Sequence, residues 1–147
     1  MQHLLFRLGS EIFAIPADDI DAVLPVPGLE HLAQAPPHFV GLLRYHGQLV
    51  PVLDANVLQG QAPCRRVISS RIILVRSAED SALGLLVEQA LEMMDLRGPQ
   101  SLPAELLAKE QDWLTPEIFD TRLGLVQSIR WQALLTPELQ ALVGQGD

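Results

Sequence analysis

The stretch GLLRYHGQLVPVLD, Gly41 to Asp54, decides the fold: an apolar run, a turn at Tyr45-His46-Gly47, a second apolar run, and a proline inside that second run. Two such runs joined by a short glycine-containing turn read as a β-hairpin. Pro51 has no amide hydrogen, so a sheet accepts it only at an edge, at a bulge, or where its missing donor points away from a ladder. The second arm is therefore expected to be partly unpaired. An open edge offers another chain a place to dock, and a proline there equally protects against edge-to-edge association. Histidine tolerates left-handed backbone, so His46 can fill the turn position beside Gly47.

Working outward, HLLFRLGSEIFAIP reads as an earlier hairpin, with Leu4, Phe6 and Leu8 alternating against Leu5 and Arg7 and a Gly9-Ser10 turn. In ADDIDAVL the spacing fits either a helix capped by Asp18 or Asp19 or a strand with Ile20, Ala22 and Leu24 on one face. Residues 25–38 carry four prolines and read as extended irregular chain. Ala55 to Leu58 fits a single helical turn, and Gln59 to Ser70 a polar loop. SRIILVR is apolar on both faces and so belongs inside a sheet. SAEDSA supplies a turn and LGLLVEQ a strand, and ALEMMDL either extends that strand or starts another.

From Gly98 to Glu117 the chain is broken by prolines, with a short helix fitting Ala104 to Lys109. RLGLVQSIRW reads as a late strand. In LTPELQALVGQGD, Thr136 as N-cap, Pro137 at the first helical position and Gly144 as a stop predict a short C-terminal helix with Leu135, Leu139, Leu142 and Val143 along one stripe. Many short strands without repeating strand-helix units predict a small, mostly antiparallel barrel or sandwich.

The 147 residues amount to one ordinary domain, long enough to bury about 68–70% of its unfolded surface without covalent staples. No apolar run approaches the roughly 20 residues of a membrane helix. The N-terminal residues lack the pattern of a secretory signal, and the single cysteine, Cys64, has no internal partner, so a cytosolic protein is the simplest reading. Ten basic residues against 18 acidic ones give a net charge of −8. That balance disfavours nucleic acid and anionic membrane surfaces and favours a protein partner.

The chemistry-bearing residues form no catalytic or metal-binding pattern. His3, His31, His38 and His46 are dispersed and read as solvated surface histidines, so no metal is expected. Cys64 precedes Arg65 and Arg66, which can lower a thiol pKa, but no nearby His/Asn arrangement supports nucleophilic catalysis. Asp18, Asp19 and Asp21 fit a solvated cap, and Glu88 and Glu92 offer only a weak carboxylate pair. Phosphate-binding glycine loops, GxSxG and HExxH are absent from the sequence. No catalytic residue and no cofactor is expected.

Taken in order, the segments resemble the CheW family of chemotaxis coupling proteins over nearly the whole chain. LLFRLGSEIFAIPADDIDAVL is similar to the family's F-x-L-G hairpin followed by a V-x-E-V segment. QAPPHFVGLLRYHGQLVPVLD is similar to the stretch in which an N-L-R-G turn leads into V-V-P-V-I-D, with Pro36, Phe39, Gly41, Gly47, Val50, Pro51, Val52 and Asp54 on pattern positions. RIILVR and LGLLVEQALEMM resemble the second-barrel strands, where Gly84 and Val87 match and Glu88 replaces the usual Asp. RLGLVQSIRWQALLTPEL resembles the last strand and C-terminal helix.

The resemblance implies a single CheW-like domain over residues 1–147: two small five-stranded SH3-like β-barrels around a shared core, an arrangement that allows strands to be exchanged between lobes. It further implies a non-enzymatic adaptor without cofactor that links the cytoplasmic tip of a methyl-accepting chemoreceptor to the regulatory domain of a CheA-type histidine kinase, at arrays beneath the inner membrane and without inserting into it. The implied receptor groove takes in Ile20, Ala22, Val23, Arg44, His46 and Gly47. Three positions depart from the pattern: Ala22 stands for Glu, and Arg44 and His46 stand for the Asn and Arg of N-L-R-G. Imidazole is neutral through most of pH 7 at its ordinary pKa, so a charge-assisted contact is lost or moved. Along a strand Arg44 and His46 share one face and Tyr45 takes the other. The other readings are a thiol-dependent regulator using Cys64 and a generic SH3-like peptide-binding module.

Overall fold

The computed structural model describes residues 1–33, 35–77, 81–101, 103, 105, 112–137 and 139. The alternation in the first sixteen residues becomes a hairpin of β1 (Gln2–Leu8) and β2 (Glu11–Pro16), in register from His3↔Pro16 to Leu8↔Glu11. A 3₁₀ turn at Ala17–Asp19 leads into β3 (Ile20–Pro25). From Ile20 on, the ambiguous ADDIDAVL is thus a strand, because pairing with β6 (Arg71–Arg76) settles what periodicity left open.

The central stretch forms β4 (Phe39–Tyr45) and β5 (Gln48–Asp54), followed by the single helical turn α1 (Ala55–Leu58). β7 (Ala82–Val87) lies between β6 and β5, and β8 (Gln89–Asp95) is a new strand in the other sheet. The two-residue β9 (Gln100–Ser101), β10 (Leu114–Thr121) and β11 (Gly124–Ile129) complete the strands among the described residues, and a 3₁₀ turn follows at Trp131–Leu134.

These strands make two sheets, β8-β1-β2-β11-β10-β9 and β3-β6-β7-β5-β4. The two-lobed, mainly β architecture is the expected one, although the first lobe has six strands rather than five. It takes its strands from both ends of the chain, and the second lobe is built from the middle. Each lobe contains one parallel pair, β2 with β11 and β5 with β7. The expected C-terminal stripe beyond Leu139 and the helix at Ala104 to Lys109 lie outside the described residues, apart from Glu105.

Three apolar clusters explain why so many strands are apolar on both faces. Phe6, Phe13, Leu53, Ile73, Leu85 and Trp131 meet in a seam shared by the sheets. The opposite faces fill the lobe interiors: Val50, Val52, Ile72 and Leu74 in the second lobe, and Leu5, Ala14, Phe119 and Val126 in the first. In β6, Ile73 and Val75 face the seam while Ile72 and Leu74 face the interior, as the period of two requires.

Pro51 is where the sequence expectation needs correcting. β5 is not an edge, because it lies between β4 and β7, and the β4–β5 irregularity falls on Phe39/Gly41 rather than on the proline. The reason lies in the direction of the amides. Asp54 N donates to His38 O at 2.8 Å, so the even-numbered amides of β5 face β4 and the odd-numbered ones face β7. The missing N–H of Pro51 therefore points toward β7, whose pairing with β5 begins one residue later, at Val52↔Gly84. An interior strand accommodates a proline just before its second ladder starts.

The second lobe's edges are β3 and β4, and it is nearly closed by Glu30, which exchanges two backbone bonds with Leu42 (Glu30 N to Leu42 O 2.9 Å, Leu42 N to Glu30 O 2.7 Å). Gly41 makes that approach possible. A Cβ there would stand 2.8 Å from Glu30 O and 3.0 Å from Leu29 Cβ.

Candidate partner-docking surface

The positions implied by the resemblance fall on two parts of the second lobe, the edge strand β3 and the β4–β5 turn. In the turn between β4 and β5, His46 has φ 51° and Gly47 φ 79°, two left-handed residues as a type I′ hairpin demands. His46 is exposed, and its ring centroid lies 4.2 Å from that of half-buried Tyr45. Strand alternation thus ends at the turn: the His46 ring turns onto Tyr45 instead of lining up with Arg44. Arg44 is exposed and pairs with Glu30 at 3.2 Å, the residue that nearly closes the lobe.

On β3 the register shifts between Ile20 and Ala22, where Ile20 pairs with Val75 and Ala22 with Leu74. Asp21 is the extra residue of this bulge, and the two neighbours are aimed at different cores. Ile20 packs against the shared seam and Ala22 against the second lobe's interior, whereas Val23 is exposed. Of the six expected residues, Val23, Arg44, His46 and Gly47 present exposed surface, and Ile20 and Ala22 lie half-buried beneath it.

Arg76, which the sequence reading did not single out, joins the two halves. It donates from Nε and Nη2 to Asp21 Oδ2, both at 3.4 Å, and from Nη1 to Gln48 Oε1 at 3.3 Å. The guanidinium thus spans from the bulge of β3 to the first residue of β5. A cation therefore stands beside the His46-Gly47 turn. Beside it is a 380 Å³ hollow lined by Asp18, Asp19, Ile20, Asp21, Arg76 and Ser77. Asp19 also accepts from Nε1 of fully buried Trp131 at 3.0 Å, fixing the edge of the hollow to the seam.

A larger, more apolar hollow of 550 Å³ lies elsewhere, bordered by Leu32, Phe39, Leu53, Leu58, Leu134 and Leu139. Its lining comes from the proline-rich loop, the start of β4, the end of β5, the end of α1 and the segment from the last 3₁₀ turn onward, not from β3.

Other sequence candidates resolve into structural roles. Cys64 is buried, and its thiol is pushed up to about 12, first by desolvation and then by the charges of Asp54 and Glu88, against the smaller opposing influence of Arg66. This reverses the lowering expected from Arg65 and Arg66 and removes the reactive thiolate from a thiol-dependent regulator. Glu88 and Glu92 are not a pair: Glu88 accepts from Asn56 Nδ2 at 2.6 Å and from Gly9 N at 3.2 Å, tying the two lobes, while Glu92 pairs with Arg122. His3 is buried rather than solvated, with Nδ1 3.0 Å from Met1 O and its ring against Phe119. The remaining histidines are exposed or half-buried.

Among the described residues no cluster of three or more His, Cys, Asp or Glu could hold a metal ion, and no helix is long and apolar enough to cross a membrane.

A search of curated protein sequences finds no match. Among solved structures, the chain is similar to the scaffolding protein TtCheW from Thermoanaerobacter tengcongensis, with a TM-score of 0.76 and 19% sequence identity over 87% of each chain. At that identity the likeness speaks for the fold. The sequence profile of the CheW-like domain matches residues 2–118, most of the two-lobed unit, and the chain therefore belongs to the CheW-like domain family.

Proposed function

We propose that this chain is a non-enzymatic adaptor that couples the cytoplasmic tip of a methyl-accepting chemoreceptor to the regulatory domain of a CheA-type histidine kinase, in the cytoplasm. The observation that carries the reading is the CheW-like domain match over residues 2–118 on a two-lobed β fold. An adaptor of this kind works through association free energy alone: strand and turn surfaces are buried against two partners, with interfaces on the order of 1,000 Å² if the contacts are transient. Receptor and kinase then influence one another by biasing the same arrangement of the two lobes.

The receptor-facing surface is the part of the second lobe carrying Val23, Arg44, His46 and Gly47 over Ile20 and Ala22. Here Ala22 supplies no carboxylate, and Arg44 is engaged with Glu30. Positive charge comes from Arg76, held between Asp21 and Gln48. The receptor tip that fits this surface relies on apolar contact more than on a carboxylate-to-arginine fork.

The test is pairwise binding of the purified chain to the histidine kinase and to the receptor fragment encoded in the same gene neighbourhood. Saturable binding to both is expected. Binding to neither refutes the adaptor reading, and binding only to an extended peptide replaces it with a peptide-recognition module.

A further inference from the structure

At the far end of the second lobe, away from the β4–β5 turn, the segment from Cys64 to Arg71 presents an apolar tip that the receptor-facing surface does not use. Ile68 is 96% exposed and Val67 49% exposed. Side chains so exposed on a slack loop carry little meaning, but this loop is fastened at several points. Cys64 is buried, and its amide donates to Asp54 Oδ2 at 2.9 Å. Ser70, 1% exposed, accepts from Val67 N at 2.9 Å and donates to Arg65 O at 2.6 Å. Ser70 N donates to Val67 O at 2.9 Å, and Arg71 Nη1 donates to the carbonyls of Ile68 and Ser70, both at 2.7 Å. The turn is held from inside while its isoleucine faces solvent.

Charge narrows what covers it. Arg65 and Arg66 are exposed on the same turn, and neither is in an ion pair among the described residues, although the chain carries net charge −8. An anionic membrane is a poor fit, since such surfaces are marked by roughly 4–8 clustered basic residues and the rest of this chain repels them. A second copy carries many carboxylates, but its apolar hollow of 550 Å³ has no Asp or Glu in its lining, so it does not combine the two features. A protein face combining an apolar recess with carboxylates at its rim fits both features.

We propose that the Arg65–Ile68 tip is a second docking surface, with Ile68 as its anchor in an apolar recess and Arg65 and Arg66 paired with carboxylates of a partner protein. This rests on the adaptor reading, in which such a chain must hold two partners at separate places. A tip already fixed in its presenting conformation loses little entropy on binding, which is the condition for one anchor side chain to matter.

The test uses Ile68→Asp, Ile68→Leu and the double reversal Arg65→Glu/Arg66→Glu in the full chain. Each is titrated with the purified kinase, with the receptor fragment and with vesicles of anionic phospholipid, at low and high salt. These side chains are exposed, so thermal unfolding should be unchanged and serves as the control for folding. For one of the two proteins, Ile68→Asp is expected to lose about tenfold or more in affinity, Ile68→Leu to retain it, and the double reversal to weaken binding and flatten its salt dependence. Wild-type affinity of Ile68→Asp and of the double reversal for both proteins overturns the proposal, as does binding to vesicles alone. Failure of the unmodified chain to bind either protein overturns the adaptor reading together with this assignment, so the two failures are distinguished by the unmodified chain.

Discussion

Replacing Asp54 by alanine probes the end of the stretch that decides the fold. The carboxylate is buried and serves three backbone amides. Oδ1 accepts from Asn56 N at 2.9 Å and Val57 N at 3.3 Å, capping α1, and Oδ2 accepts from Cys64 N at 2.9 Å, anchoring the loop that returns toward β6. Loss of a cap costs about 1 kcal/mol, and leaving the buried Cys64 amide unpaired costs roughly 1–3 kcal/mol. The expected loss is about 2–4 kcal/mol, which for a chain of this size lowers Tm by roughly 5–15 °C. Asp54→Asn separates the contributions: its carbonyl oxygen can keep the cap, but its amide would face the Cys64 donor, so it should lose the anchoring share only.

Urea unfolding measures both variants, with an unchanged slope showing that the denatured state is the same. Hydrogen exchange should quicken at the Cys64 amide in both. If Asp54→Ala falls within about 0.5 kcal/mol of the unmodified protein, the range of ordinary surface changes, then the reasoning that makes this aspartate the clamp between β5, α1 and the loop is wrong.

Gly41→Ala should cost about 1–3 kcal/mol, because its Cβ would meet the backbone of Glu30 at 2.8 Å rather than a side chain able to swing away; urea unfolding equal to that of the unmodified protein would refute this. Cys64 should react with thiol reagents far more slowly in the folded protein than in the unfolded chain at both pH 7 and pH 9, its thiol being raised to about 12 from 9.0; equal folded and unfolded rates at pH 9 would refute this. Since the folded value lies above the unfolded one, the thiol's contribution is whole below pH 9 and is lost as pH rises toward 12; stability rising over that window would contradict the assignment. His46→Arg should tighten receptor association several-fold by adding a permanent charge at the turn, whereas an unchanged Kd would put the receptor contact elsewhere.

Local features of the fold were legible wherever alternation and a turn coincide. The Gly9-Ser10 and His46-Gly47 hairpins, and β6 as an interior strand, follow from neighbouring residues, and so does the helical turn after Asp54. What depends on distant partners was not legible. β3 became a strand because β6 lies alongside it, and Pro51 sits inside a sheet because β7 starts pairing one residue late. Neither parallel pair has a signature in its own sequence. The burial of His3 likewise depends on Phe119, far along the chain.

The candidate surface was half legible. Ala22 and His46 stood out against a pattern, but the bulge that turns Ala22 inward, the left-handed turn that lays His46 on Tyr45, and the bridge from Arg76 to Asp21 and Gln48 all require the folded geometry. An arginine at the end of an apolar strand reads from sequence as a solvated terminus. The loop tip at Ile68 read as polar loop, because exposure of a single apolar residue is invisible in composition.

The most direct measurement of the central claim is co-sedimentation of the histidine kinase with receptor-bearing membranes, with and without this chain. The adaptor account predicts that kinase sediments only when the chain is present, and that the chain sediments with receptor membranes in the absence of kinase. Kinase sedimentation that is indifferent to the chain, or a chain that stays in the supernatant under both conditions, would contradict it.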